Sequence, residues 1–282
     1  MPGPDPRAQL VTVIAPGPSW GLPDPIELWQ GRALLGVLAR REVMIRYASA
    51  GLGVAWALVT PLALVAAFAI GFGAVAGIQA PGGTPYWLWA WAGILAWQTF
   101  AIPLTRGAAS LVDNERLLGR VYLPRLALPL AAILAGLVDA AVSAAALLTT
   151  LVVTGHAPGW PVLLLPLAVL PALLLGTALG IALAALNARY RDLRHALPVL
   201  VQLLLLLCPI GYPAPGGDGL LQSVLALNPL APGLELVRWS LLPDHPAPPF
   251  GALAASLACG VVLLLLGAIV FRHHERTIVD RI

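Results

Sequence analysis

Residues 54–78 read VAWALVTPLALVAAFAIGFGAVAGI, 25 residues without a charge. A helix needs about 20 predominantly apolar residues to cross the hydrocarbon core of a bilayer, and this stretch exceeds that. Five arginines precede it, Arg7, Arg32, Arg40, Arg41 and Arg46. The alternation of apolar run and arginine-bearing connection then recurs along the chain.

Working outward, residues 86–105, 162–186, 196–212 and 250–271 are also free of charge, and 126–154 is interrupted only by Asp139. With 59% hydrophobic and 10% charged residues over 282 positions, the chain is too apolar for a soluble domain. The expectation is an all-α polytopic membrane protein with six transmembrane helices. The arginines orient it. Between spans two and three lie Arg106, Arg116, Arg120 and Arg125; between four and five, Arg189, Arg191 and Arg194; after span six, Arg272, Arg276 and Arg281. The opposite connections hold only Arg238. Arginine-rich loops stay cytoplasmic, so both termini are expected inside a multi-pass protein of the cytoplasmic (inner) membrane.

A seventh span over 220–242 fails, because it would put the three tail arginines outside. Asn228-Pro229 and Pro232-Gly233 also cut it into pieces too short to cross. It reads as short re-entrant helices dipping in from the outer face between spans five and six. Residues 1–25 carry seven prolines and read as a flexible tail, without the basic start, apolar core and small-residue site of a cleaved signal.

Several chemistries are excluded. All sixteen basic side chains are arginine, so Gly-x-x-x-x-Gly-Lys cannot occur and ATP is not bound by a P-loop here. There is no Gly-x-Ser-x-Gly elbow and no His-Glu-x-x-His zinc motif, so no catalytic residue, cofactor or metal is assigned. Cys208 and Cys259 lie inside spans, which suggests no disulfide framework. The formal charge of +3 reports topology rather than nucleic-acid binding.

Five segments are candidates for function. Residues 26–47 form an amphipathic helix with Ile26, Trp29, Ala33, Val37, Met44 and Tyr47 along one stripe, suited either to anchoring at the cytoplasmic interface or to contacting a partner. In the loop at 111–125, Asp113 can cap a short helix whose apolar side is Leu117, Leu118, Val121 and Tyr122. Lipid or a docked partner would have to cover those groups. Asp139, near the middle of the third span, is costly to bury unless it is protonated, bonded to Ser143 one turn on, or used in transport. On span two, Tyr86, Trp89, Gly93, Trp97 and Phe100 share a stripe that either packs against other helices or lines a path on which sugar rings stack. Glu235 and Arg238, three apart, can pair on the re-entrant segment as a structural bridge or as part of a gate.

Ordered motifs carry a resemblance. They are Ile45-Arg46-Tyr47 with Leu52-Gly53, Trp56 and Pro61-Leu62; 119–125 (GRVYLPR); 186–193 (LNARYRDL); 208–213 (CPIGYP); 227–230 (LNPL) with Glu235, Arg238 and Trp239; and 275–280 (ERTIVD). In this order, from residue 26 to the end, the chain resembles the permease subunit of type-2 ABC exporters, in the branch that moves lipid-linked polysaccharides of the O-antigen, capsule or teichoic acid type. The resemblance implies a homodimer embedded in membrane lipid, with a separate ABC ATPase subunit, in two copies, binding ATP-Mg. It implies docking through the interfacial helix (Arg46, Tyr47) and the coupling helix (Asn114, Leu117, Leu118, Arg120, Val121, Tyr122). It further suggests a translocation path past Trp89, Trp97, Phe100 and Asp139, and an outer gate involving Asn228, Glu235 and Arg238. The same architecture exporting a drug or another lipid, or a proton-coupled transporter centred on Asp139, are the alternatives.

Overall fold

The computed structural model describes residues 25–48, 51, 53–118, 123–190, 192–213, 227–243 and 245–278, and every regular element among them is helical. The expected tail lies outside these residues except for Pro25, as do Arg120, Val121 and Tyr122 and the first part of the re-entrant segment.

The helix expected over 26–47 is present as two pieces, α1 (Pro25–Gln30) and α2 (Arg32–Ala48), separated at Gly31. The first span is α3 (Trp56–Phe68), continued by a π-helical stretch over Ala69–Val75. α4 (Tyr86–Asp113) runs past the expected end at residue 105, and α5 (Glu115–Leu118) follows it directly. α6 (Ala127–Val153) is the third span.

The fourth span is built from pieces. A 3-10 turn at Trp160–Leu164 leads into α7 (Leu165–Ala168) and then α8 (Leu170–Arg189). Pro161, Pro166 and Pro171 each fall in the first turn of a new piece, where the missing N–H leaves no helical hydrogen bond unmade. α9 (Leu193–Leu207) starts before the expected residue 196 and stops before 212. It stops because Pro209 drives Cys208 into extended backbone at ψ 139°. α10 (Ala231–Leu241) and α11 (Phe250–Ile278) complete the chain.

Four stretches are long and apolar enough to cross a bilayer: Trp56–Val75, Ala127–Val153, Trp160–Arg189 and Phe250–His274. The protein is therefore an all-α polytopic membrane protein with at least four spanning helices. The other two expected spans fall on α4 and α9. α9, at 15 residues, is about 22 Å long and shorter than the hydrocarbon core on its own.

α4 is the centre of the bundle. It packs against α8, α6, α10 and α3, and nearly every side chain from Leu88 to Trp97 is buried. Lipid tails are as apolar as a protein core, so helices associate in a membrane through close packing. Gly176 and Gly180 of α8 provide this: a Cβ on either would collide with a backbone carbonyl of α4, at Phe100 and Pro103 respectively. Gly267 of α11 meets α8 the same way, its position lying 2.5 Å from the Ala178 carbonyl oxygen. α9 contributes no buried residue, and Val199, Leu200, Leu203, Leu206 and Leu207 along it are exposed.

α2 packs along α6. Leu38 is buried, and Leu34 and Leu35 join a cluster with Leu111, Leu123 and Leu126. Leu117 and Leu118 rest partly buried against this same cluster, so their apolar groups are partly covered by the chain itself. The opposite side of α1 and α2 keeps Ile26, Trp29, Val37 and Met44 exposed.

Candidate functional site

Three polar clusters sit along α4. At its N-terminal end, Arg238 of α10 is fully buried. Its guanidinium lies 3.5 Å above the Trp89 ring. Nη1 donates to the Pro209 carbonyl at 3.0 Å and Nη2 to the Ile210 carbonyl at 2.7 Å. These are the carbonyls freed where Pro209 ends α9. Nη1 also pairs with Glu235 at 2.8 Å, whose other oxygen meets His245 Nε2 at 2.7 Å. Burial lowers the Arg238 guanidinium to about 10, partly opposed by Glu235, so it remains charged at neutral pH. For Glu235, burial pushes the carboxyl up, but the His245 hydrogen bond and the Arg238 charge outweigh it and hold the group below its ordinary range.

Gly93 makes room for this arrangement, since a Cβ there would lie 2.7 Å from Arg238 Nη2. Tyr86 donates to the Gly211 carbonyl at 2.6 Å. Asn228 folds its own turn by accepting from Leu230 N at 3.0 Å, and its amide reaches Cys208 Sγ at 3.4 Å. Ser256 of α11 donates to the Pro229 carbonyl at 2.5 Å. Asn228, Glu235 and Arg238 thus belong to one set of contacts that ties α4, α9, α10 and α11 together.

The second cluster surrounds Asp139, halfway along α6. Its carboxylate accepts from Arg46 Nη1 at 2.5 Å and from the Tyr47 hydroxyl. Arg106 of α4 approaches to 3.7 Å. Burial and the neighbouring carboxylate push the Tyr47 phenol up, so it stays a donor. Ser143, the sequence-based partner for Asp139, instead accepts from Trp91 Nε1 at 3.3 Å. Arg46 and Tyr47 therefore face α6, with the Arg46 side chain only 17% exposed. A cavity of about 400 Å³ opens beside this cluster between α2, α3, α4 and α6, lined among others by Trp56, Thr60, Trp97, Gln98, Arg106 and Asp139.

Of the aromatic stripe, Trp97 reaches this cavity. Phe100, its ring 5.3 Å from Trp97, is buried behind it, and Trp89 is sealed under Arg238.

The third cluster ends α4. Asn114 is buried; its Oδ1 accepts from Arg41 at 3.0 Å, and its Nδ2 donates to the Ser110 carbonyl at 3.0 Å and to Glu42 at 3.4 Å. Its own carbonyl accepts from Leu117 and Leu118 to start α5. Asn114 thus joins α2 to the α4–α5 corner instead of facing out. α2 is tied to the bundle at two points, Asn114 near its middle and Asp139 at its end.

The profile of ABC-2 type transporters matches residues 33–242, three-quarters of the sequence. The chain belongs to the ABC-2 type transporter family. It is 30% identical to the O-antigen export system permease protein RfbA of Myxococcus xanthus over 258 residues, covering 91% of this chain and 98% of that one. It is 23% identical over 242 residues to a protein of the same name from Klebsiella pneumoniae, covering 84% and 90% respectively. The protein is accordingly a non-catalytic membrane permease subunit. Among the described residues no group of three or more His, Cys, Asp or Glu side chains is placed to hold a metal ion.

In this ABC-2 permease, Arg106, Gln98, Arg41 and His245 are site residues that sequence reasoning missed. Arg106 was read only as a topology signal one residue past a span. Its proximity to Asp139 depends on how α4 crosses α6, which no spacing rule reports.

Proposed function

We propose that the protein is the membrane permease of an ATP-driven exporter that moves a lipid-linked polysaccharide, of the O-antigen, capsule or teichoic acid type, across the cytoplasmic membrane. The observation that carries this reading is the 30% identity extending over 98% of the Myxococcus xanthus O-antigen export permease. Two copies form the channel with six spans each and both termini cytoplasmic, and each docks one ABC ATPase. The exposed apolar faces of α3, α9 and α11 supply surface for lipid and for the second copy.

ATPase movement is received at the α4–α5 corner and the residues that follow, with Leu117, Leu118, Arg120, Val121 and Tyr122 as the contact set. Asn114 and Asp139 convert it into joint movement of α2, α4 and α6. The Arg238 cluster, with Asn228 and Glu235, holds the outer end, where the re-entrant helices shape the exit. Deleting the gene should leave the lipid-linked glycan on the cytoplasmic face and remove it from the cell surface. Unchanged surface glycan in a cell with no redundant exporter would move the cargo to a drug or another lipid.

A further inference from the structure

The cavity beside Asp139 has a composition that hydrophobic packing does not explain. Its lining set has two guanidiniums against one carboxylate: Arg46, Arg106 and Asp139. Asp139 is already engaged by Arg46 and the Tyr47 hydroxyl. Arg106 makes no side-chain hydrogen bond among the described residues. Its nearest counter-charge is Asp139 at 3.7 Å, and its side chain is 40% exposed. Glu42 and Asp113 lie on its far side, in a second cavity of about 310 Å³ towards the end of α4, where Glu42 is held by Asn114. A part-exposed guanidinium with free donors beside an engaged carboxylate is placed to meet an anionic ligand.

The neutral groups are as specific. Gln98 lines the same cavity, and its Oε1 is buried without a hydrogen-bond partner. Thr60 adds a hydroxyl, and Trp56 and Trp97 add aromatic surface. Next to it, α3 presents Trp56, Val59 and Leu62 outward, an apolar face along which a hydrocarbon tail can lie. A guanidinium, a carboxamide, indole faces and an adjoining apolar face suit an anionic amphiphile with a hydroxyl-bearing head group, and the cargo reading supplies one whose head group joins a phosphate to a sugar. The volume of about 400 Å³ falls within the range of small-ligand sites.

We propose that this cavity receives the phosphate-linked first sugar of the exported glycolipid, with Arg106 on the phosphate, Gln98 and Thr60 on sugar hydroxyls, and the tail on α3. This rests on the cargo reading above and deepens it. Arg46 and Asp139 then act as positioning residues, because their pairing leaves Arg106 free to meet the phosphate.

The test uses the full chain with its ATPase in nanodiscs and native mass spectrometry. Three probes are compared: a polyprenyl diphosphate carrying one N-acetylhexosamine, the same lipid without sugar, and phosphatidylglycerol. Wild type should retain the sugar-bearing probe in preference to the others. Arg106→Gln should weaken both polyprenyl probes roughly tenfold or more, as expected for losing a charge-assisted contact, and Arg106→Lys should recover part of it. Gln98→Leu should weaken only the sugar-bearing probe, and it decides the matter if Arg106→Gln no longer assembles with the ATPase. Retention of the glycolipid undiminished in Arg106→Gln or Gln98→Leu would overturn the site and leave the cargo reading standing. Equal displacement by phosphatidylglycerol would overturn it in favour of an ordinary lipid contact. A wild type that retains neither polyprenyl probe while still hydrolysing ATP would instead remove the cargo reading.

Discussion

Replacing Arg238 with methionine keeps most of the side-chain volume and removes the charge and the fork of donors. The structure sets the size of the effect. Arg238 is fully buried; its loss strands the Pro209 and Ile210 carbonyls, which it reaches at 3.0 and 2.7 Å, removes the stacking on Trp89 at 3.5 Å, and leaves Glu235 with His245 alone. Breaking a buried, hydrogen-bonded charge by removing one partner costs roughly 3–5 kcal/mol. For a chain of this size each kcal/mol lowers the midpoint by about 2–4 °C, so Arg238→Met should melt about 10 °C below wild type in detergent, followed by loss of the monodisperse peak in size-exclusion chromatography after heating. Arg238→Lys should recover less than half, because a single ammonium cannot reproduce two divergent bonds to adjacent carbonyls. In a cycle with Trp89→Leu the coupling should approach 2 kcal/mol, the upper range for a desolvated cation over an indole. A midpoint within 2 °C of wild type, or full recovery by lysine, would refute the claim that the fork clamps the end of α9.

Three further outcomes follow from the geometry. Gly176→Ala should reduce the yield of folded protein severely, since its Cβ collides with the Phe100 carbonyl, whereas Gly36→Ala, with nothing within 4 Å, should be neutral; yield and melting of the two variants check this. Glu235 has a folded pKa below its unfolded value, so the stability it adds is present above its ordinary value of 4.5 and lost as pH falls through the folded value. The melting temperature should therefore drop on acidification below about pH 4.5, and Glu235→Gln should flatten that limb. Asp139→Asn should lower stability by about 2–3 kcal/mol, the low end for a partly screened buried pair, and should uncouple ATP hydrolysis from export if α2 must move together with α6. Normal export by this variant would contradict that role and also remove a proton-coupled mechanism.

Four spanning helices were legible because a bilayer imposes an apolar length that one sequence displays. The Glu235–Arg238 pair was legible for a similar reason, since helical geometry brings residues three apart onto one face. Asp139 was visible as an ionisable group in an apolar run, but its partners were not. Arg46 and Arg106 lie on two other helices, and nothing local distinguishes them from arginines that merely orient the chain. The same gap hid the surroundings of Leu117, Leu118 and Asn114. Because α2 packs on α6, it covers part of the leucine pair and helps bury the asparagine. The fragmented fourth span shows a different limit. Pro161, Pro166 and Pro171 are each compatible with a helix start or with a kink, and only the packing of α8 against α4 and α11 selects the starts.

In the function proposed above, a separate ATPase drives this permease to carry a lipid-linked polysaccharide across the membrane. The most direct measurement is co-reconstitution of the full chain with its ATPase in proteoliposomes holding the labelled glycolipid in one leaflet, followed by its accessibility to a glycosidase on the other side. Transfer should require ATP and both subunits. ATP hydrolysis at full rate with no glycolipid transferred, or transfer by the permease alone, would contradict it.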